Sequence, residues 1–563
     1  MKKSIFTLML VAILAASMVA CGGSGTSTET TTGAAAQAGS EAGSEGEAVA
    51  TSTDGKELVV QLGPDPETVD PALNSSVDGG NMILHAFECL LIVGQDGNLQ
   101  PGQAESWETS EDGLTWTFHL REGLKWSDGT DLTANDFVYS WKRVCDPLVA
   151  APYAETVLGM VEGYEAAIAG DLDALGVTAT DDLTLVVQLA TPCPYFGSLA
   201  AFATLSPVQQ ATVEANGDAW AIEPSTYVSN GPFYMTEWVP GSHITWSKNP
   251  YYRDADSVKL GSLKCLLMED SNASYSAYQT GEALFIKDVP TEEIPSLSDN
   301  SEFHVEPILG TYYISLNIGE EIFQDVNVRR ALSLAIDREY VANTLMQGTY
   351  SPASNFMGPG WMDPLGTEFV NNANGGEPYI DTADYEGNLE QAKAYLAEAG
   401  YPNGEGFPTI TYTTNDSGYH KTVAEYLQQA WGELGITLTV EIVEWSSFTP
   451  MRRNGEYQAA RNGWVGDYSD PSNMLELLYT TNGNNDGKFS NAAFDAAMEL
   501  SRSTLDTTVR SQALHEAEDI LMDQVGCIPV AYYNDFWLQS EKITGMWHSA
   551  YGYWYFMYAD IAD

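Results

Sequence analysis

Arg461-Asn-Gly-Trp-Val-Gly-Asp467-Tyr-Ser-Asp-Pro471 is the stretch from which the rest of the chain becomes readable. Just ahead of it, residues 457–461 (Tyr-Gln-Ala-Ala-Arg) read as the buried, small-residue end of a strand, which Gly463 and Gly466 then loosen. Arg461, Trp464 and Asp467 place a fixed cation, a large indole and a carboxylate within seven positions. Kept extended, Arg461 and Asp467 lie on one face, about 20 Å apart at roughly 3.3 Å per residue. A bend at the two glycines shortens that to the distance between the ends of a short peptide. Plus at one end, minus at the other and an aromatic wall between them suit a zwitterion with variable side chains. The same residues also describe a surface ion pair beside a core tryptophan. The segment by itself does not choose.

Working outward, the chain carries Leu99-Gln-Pro-Gly-Gln-Ala-Glu-Ser-Trp107 and Thr115-Trp-Thr-Phe-His-Leu-Arg-Glu-Gly-Leu-Lys-Trp-Ser-Asp-Gly-Thr130, then Asp136-Phe-Val-Tyr-Ser-Trp141. Asn230-Gly-Pro-Phe-Tyr, Asn249-Pro-Tyr-Tyr, Thr311-Tyr-Tyr and Asn327-Val-Arg-Arg-Ala-Leu follow. Together with R-x-G-W-x-x-D-Y-x-x-P at 461–471, this series resembles, in order, the oligopeptide-binding proteins of ABC importers, extracellular solute-binding protein family 5. The resemblance spans nearly everything from about residue 57 to the C-terminus, and many spaced motifs agree rather than one.

The resemblance implies an α/β fold, three-lobed and periplasmic-binding-protein-like (type II, large peptide-binding class), with two lobes closing on the ligand. Lobe I would take 57–87, 213–309 and 535–563, lobe II 88–212, and lobe III 310–534, joined to lobe I through β-rich crossings at Tyr312–Asn317 and Ile528–Tyr533. An oligopeptide would bind extended, as an added strand. Carried over by position, Asp467 holds the peptide's ammonium, and backbone of Gly463, Val465 and the turn Ser75, Ser76, Val77 pairs with its main chain. Arg461 receives the carboxylate of a short peptide and His420 that of a longer one, with Arg452 as a further cationic contact. Trp445 and Trp464 form walls, and Tyr153 and Tyr312 add aromatic surface. Several of these have plainer readings: Trp445 as core, His420 as a helix cap or surface residue, the tyrosines as packing. Some relatives join a cysteine near 310 to one near 465; Gly310 and Val465 stand there, so that bridge is absent.

Residues 1–20 read as a signal peptide: Lys2 and Lys3, then an apolar run from Ile5 to Ala16, too short to span a membrane. Ser17-Met-Val-Ala-Cys21 resembles a lipoprotein box, with Met18 where leucine is usual, which makes Cys21 the expected lipidation site. Residues 21–56 would be the lipidated cysteine and a flexible tether, since Gly, Ser, Thr, Ala and Glu bury too little to fold. The body is then expected at the extracellular face of the cell membrane, held by lipid alone (or in a periplasm if there are two membranes), as a monomer beside its ABC transporter permease subunits. A formal charge of −54, from 24 Lys and Arg against 78 Asp and Glu, excludes nucleic acid as a partner. Cys89, Cys145, Cys193, Cys265 and Cys527 lack C-x-x-C spacing and read as buried free thiols.

Local patterns agree with α/β layers. Strand-like runs occur at 58–62, 183–189, 244–247, 312–317, 409–413 and 436–442, alternating with helices expected at 136–144 (Thr133 as N-cap), 389–399 (ended by Gly400) and 423–434. Seven scattered histidines give no metal site, no cofactor motif is present, and Asn482-Gly-Asn-Asn-Asp-Gly487 reads as a polar turn rimming the cleft rather than a calcium loop. No H-E-x-x-H or G-x-S-x-G is present. The expectation is a binding protein and not an enzyme; the alternatives are the same fold holding dipeptides or oligosaccharides, or a secreted glycan hydrolase.

Overall fold

Seven elements position the candidate site: strand β1 (Glu57–Gln61), helix α1 (Val77–Ala86), strand β2 (Phe303–Leu316), helix α2 (His420–Gly432), strand β3 (Ala459–Val465), helix α3 (Thr507–Asp523) and strand β4 (Ile528–Gln539). This computed structural model describes residues 55–562 apart from 96 and 416–418, with only the backbone of Trp445 and Ser446. The signal sequence, Cys21 and the tether as far as residue 54 lie outside the described residues.

One eleven-stranded sheet runs through the body. From one edge its order is Leu438–Val443, Ile410–Asn415, β3, β2, β4, Phe285–Ile286, β1, Ser262–Leu266, His243–Lys248 and Phe233–Val239, with Ser351–Pro352 also on β4. A separate four-stranded antiparallel sheet holds Ala104–Thr109, Thr115–Leu120, Thr184–Gln188 and Val177–Asp181. The long antiparallel pair β2 and β4 carries the chain from one half of the large sheet to the other. Their ladder breaks between Pro307 and Thr311, where the Leu309 N–H instead donates to the Ala550 carbonyl at 2.7 Å.

The core divides in the same way. One apolar cluster joins residues between Leu58 and Leu267 to the C-terminal run through Ala559. Two others, built mainly from residues between Ile308 and Tyr533, lie on the far side of the crossing. Helix α1 starts at Ser76, whose Oγ accepts the Gly79 N–H at 3.1 Å. The C-terminal run docks on it: Trp554 N–H donates to Asn81 Oδ1 and Phe556 N–H to His85 Nε2, both at 3.0 Å. Burial pushes His85 down to about 4, which keeps the ring neutral and able to accept that bond.

The local expectations are met in type, with boundaries moved by a few residues. The helix capped by Thr133 runs Ala134–Val144, and the Thr133 N–H donates to Asp136 Oδ2 at 2.8 Å. The other two expected helices are Tyr385–Glu398 and α2. Cys89, Cys145, Cys193, Cys265 and Cys527 are buried free thiols. Gly310 and Val465 are direct cross-strand partners, and a Cβ on Gly310 would stand 2.7 Å from the Trp464 carbonyl oxygen. Among the described residues no helix is long and apolar enough to cross a membrane.

One expectation is corrected. The chain does not bend at Gly463, because β3 continues to Val465, with Gly463 paired to Tyr312 and Gly466 N–H donating to the Leu309 carbonyl at 2.6 Å. These glycines serve close approach instead. A Cβ on Gly463 would meet Tyr533 Oη at 2.0 Å, and one on Gly466 would meet the Trp361 ring at 2.3 Å.

Candidate functional site

Strand β3 has one fully paired edge and one largely open one. Along β2 it pairs from Ala459 to Val465, whereas Ile410–Asn415 covers only Ala459 and Ala460. From Arg461 onward the outer edge carries no strand among the described residues. There the Gly463 N–H donates to Oδ1 of the preceding Asn462, at 2.8 Å. An open edge of this kind can take a further extended chain.

The two charges stand at the ends of that edge. Arg461 and Gly463 share a face with Tyr312 and Ile314, since cross-strand partners point the same way. The Arg461 guanidinium lies 5.4 Å from the Tyr312 ring centroid, and its Nη2 donates to Tyr533 Oη at 3.0 Å. Tyr350 packs edge-on against Tyr533, and His420, at the start of α2, lies 5.5 Å from Tyr312. Burial and the Arg461 charge push His420 down to about 2, so it is neutral. Arg461 Nε and His420 Nδ1 are buried without a hydrogen-bond partner. No carboxylate pairs with Arg461 among the described residues, so a permanent cation sits in an aromatic box with an unfilled donor.

At the other end Asp467 is the mirror case. Its Oδ1 accepts from Tyr153 Oη at 3.1 Å, and burial lifts its carboxyl to about 6. No cation partners it among the described residues. Asn473 fixes its place: Oδ1 accepts from the Asp467 N–H at 3.1 Å and from Trp464 Nε1 at 3.2 Å. Behind it, Arg510 grips buried Asp470 through both nitrogens at 2.9 and 2.7 Å, and Tyr468 stacks on Tyr195 at 5.2 Å.

The other expected residues fall into place unevenly. Ser75, Ser76 and Val77 form the exposed entry to α1. Val465 is half-buried opposite Gly310. Trp445 opens the helix Trp445–Asn454, and its side chain lies outside the described residues. Tyr312 offers no surface, being fully buried; it is the shelf beneath Arg461. Arg452 does not present a free charge, because its Nε donates to buried Asp486 at 2.6 Å and its Nη1 to the Arg461 carbonyl at 3.3 Å. The 482–487 run is likewise more than a rim: Asn485 and Asp486 are buried, and Asp486 also accepts from Asn462 Nδ2 at 3.2 Å. Asn473, Tyr350 and Tyr533 were not readable from sequence spacing. Only Asn473 carries a local hint, as an amide two residues after Pro471.

Comparison with known proteins identifies the family and the fold. Residues 98–486 match the family described as bacterial extracellular solute-binding proteins, family 5, middle region. Over 557 residues the chain is 35% identical to the oligopeptide-binding protein OppA of Bacillus subtilis, covering 97% of each. The structure is similar to Haemophilus influenzae OppA in complex with RPPGFSPFR, with a TM-score of 0.75 at 30% identity over 91% of this chain and 99% of that one. Against the Escherichia coli murein tripeptide binding protein MppA the TM-score is 0.77 at 30% identity, with the same coverage.

Proposed function

The chain belongs to the bacterial extracellular solute-binding proteins of family 5, transport receptors and not enzymes, and on that premise we propose that it captures short peptides outside the cell and delivers them to an ABC importer. The observation that carries this reading is the open β3 edge with an unneutralised cation at one end and an unneutralised carboxylate at the other. Six residue steps separate Arg461 from Asp467, at most about 20 Å at roughly 3.3 Å each. A peptide of a few residues fits between them. Its ammonium meets Asp467, its carboxylate meets Arg461 in a short peptide and His420 in a longer one, and its main chain pairs with Gly463 and Val465. A neutral sugar would leave both charges buried and unpaired, which is unfavourable.

In this reading lobe I (57–87, 213–309, 535–563) and lobe III (310–534) close on the peptide, lobe II (88–212) supplies Tyr153, and the Ser75–Val77 turn meets the peptide's free side. Arg452 acts through Asp486 and the Arg461 carbonyl, steadying β3. The receptor works as a monomer, tethered by lipid on Cys21. The intact mass of detergent-extracted protein tests the anchor: acyl chains should be present and should vanish in Cys21→Ala.

Calorimetry with tri- to pentapeptides tests the function. Truncating one partner of a desolvated charge pair costs about 2–5 kcal/mol, so Asp467→Ala should weaken binding at least thirtyfold while the circular dichroism spectrum is kept. Unchanged affinity in that variant, or binding of cello-oligosaccharides in place of peptides, would overturn the assignment.

A further inference from the structure

A cavity of about 420 Å³ opens beside Asp467, bounded by α1, residues 89–95 and 97–100, and the aromatic run 547–558. That volume is in the range of small-ligand sites. Its walls are mostly apolar, including Ile83, Phe87, Ile92, Tyr553 and Met557. Tyr553 reaches its place because Gly80 has no side chain; a Cβ there would lie 2.7 Å from the tyrosine ring.

Two carboxylates stand on the wall, Glu88 and Asp467, and they differ in one respect. Glu88 is fully engaged: Arg253 donates to it twice, at 2.6 and 2.7 Å, Tyr252 Oη at 2.7 Å and Gln103 Nε2 at 2.6 Å. Asp467 has the Tyr153 hydroxyl and the Asn473 side chain beside it, no cation among the described residues, and a raised affinity for protons. The cavity therefore joins one unneutralised anion to an aromatic and aliphatic chamber. The complementary group is an ammonium whose own carbon carries a large apolar substituent.

We infer that this cavity is a specificity pocket selecting peptides whose first residue has a large apolar or aromatic side chain. The inference rests on the reading that Asp467 receives the peptide's ammonium. The first Cα is one bond from that nitrogen. The main chain leaves along the β3 edge toward Arg461, so the first side chain is the one free to enter the chamber. A glycine there would leave the apolar walls facing water, whereas phenylalanine or leucine would cover them.

Competition calorimetry with Phe-Ala-Ala-Ala, Leu-Ala-Ala-Ala, Gly-Ala-Ala-Ala and Ala-Ala-Ala-Phe tests the pocket in the wild-type receptor and in two variants that fill it, Ile92→Trp and Leu84→Trp. Both positions line the cavity and are only half-buried, so at least one variant should keep the fold. The wild type should bind the Phe-first and Leu-first peptides on the order of tenfold more tightly than the Gly-first one. In either folded variant that ratio should drop below about threefold. Equal binding of all four peptides, or a ratio untouched by both substitutions, overturns the pocket while leaving peptide capture intact. Failure of every tetrapeptide to bind overturns the underlying peptide reading, and the pocket with it.

Discussion

Asp467 shows most directly how one side chain's surroundings set behaviour. Its carboxyl is lifted from the ordinary 3.8 to about 6 by burial, against the hydrogen bonds from Tyr153 and Asn473. A carboxyl raised in the folded state favours the fold fully below its unfolded value, and that benefit is lost as pH rises toward about 6. A peptide ammonium requires the ionised form, so ligand binding runs the opposite way. Affinity should be flat above about pH 7 and fall by up to about tenfold per unit below 6. His420, held near 2, stays neutral throughout that range. Titration calorimetry with one tetrapeptide between about pH 4.5 and 8 reads the profile; affinity constant down to about pH 5 would remove Asp467 from the ammonium site. Arg461 and Asp467 could be picked out of the sequence because their charges are fixed by residue type. What neutralises or fails to neutralise them could not, since Tyr153 and Tyr533 arrive from 314 and 72 positions away.

At the scale of elements, Gly463 is the instructive case. Glycine in a strand signals either a bend or a close approach, and sequence does not separate the two. Here the strand stays straight and the missing Cβ admits the Tyr533 ring. Gly463→Ala would force that ring off the strand and away from Arg461. Overpacking of this kind typically costs about 1–3 kcal/mol, so the urea midpoint should fall and the affinity for tripeptides should drop with it. A midpoint equal to wild type would show that the ring is not held there. The expected helices and strands appear because their periodicity and caps are local, as Thr133 with Asp136 and Gly400 at φ +95° illustrate. The role of Arg452 escaped for the opposite reason: its partner Asp486 lies 34 residues on, in a run that reads as a surface turn.

For the molecule as a whole, the α/β alternation was readable, but the order of the large sheet was not. Strand β1 sits between segments from 262–266 and 285–286, and β2 between segments from 459–465 and 528–539. Such pairings depend on contacts hundreds of residues apart, and only the family resemblance hinted at the crossing. That crossing has a consequence for how the protein could change over generations. The chain departs along β2 and returns along β4, with Ile314 opposite Ile528. Everything between, including β3 with Arg461 and the Asp467 that follows it, is one continuous stretch of chain whose two ends are neighbours, roughly 5 Å apart. Recombination between related genes could therefore exchange the entire charged half as a cassette, leaving the half that holds α1 in place and requiring only that two adjacent strands be rejoined.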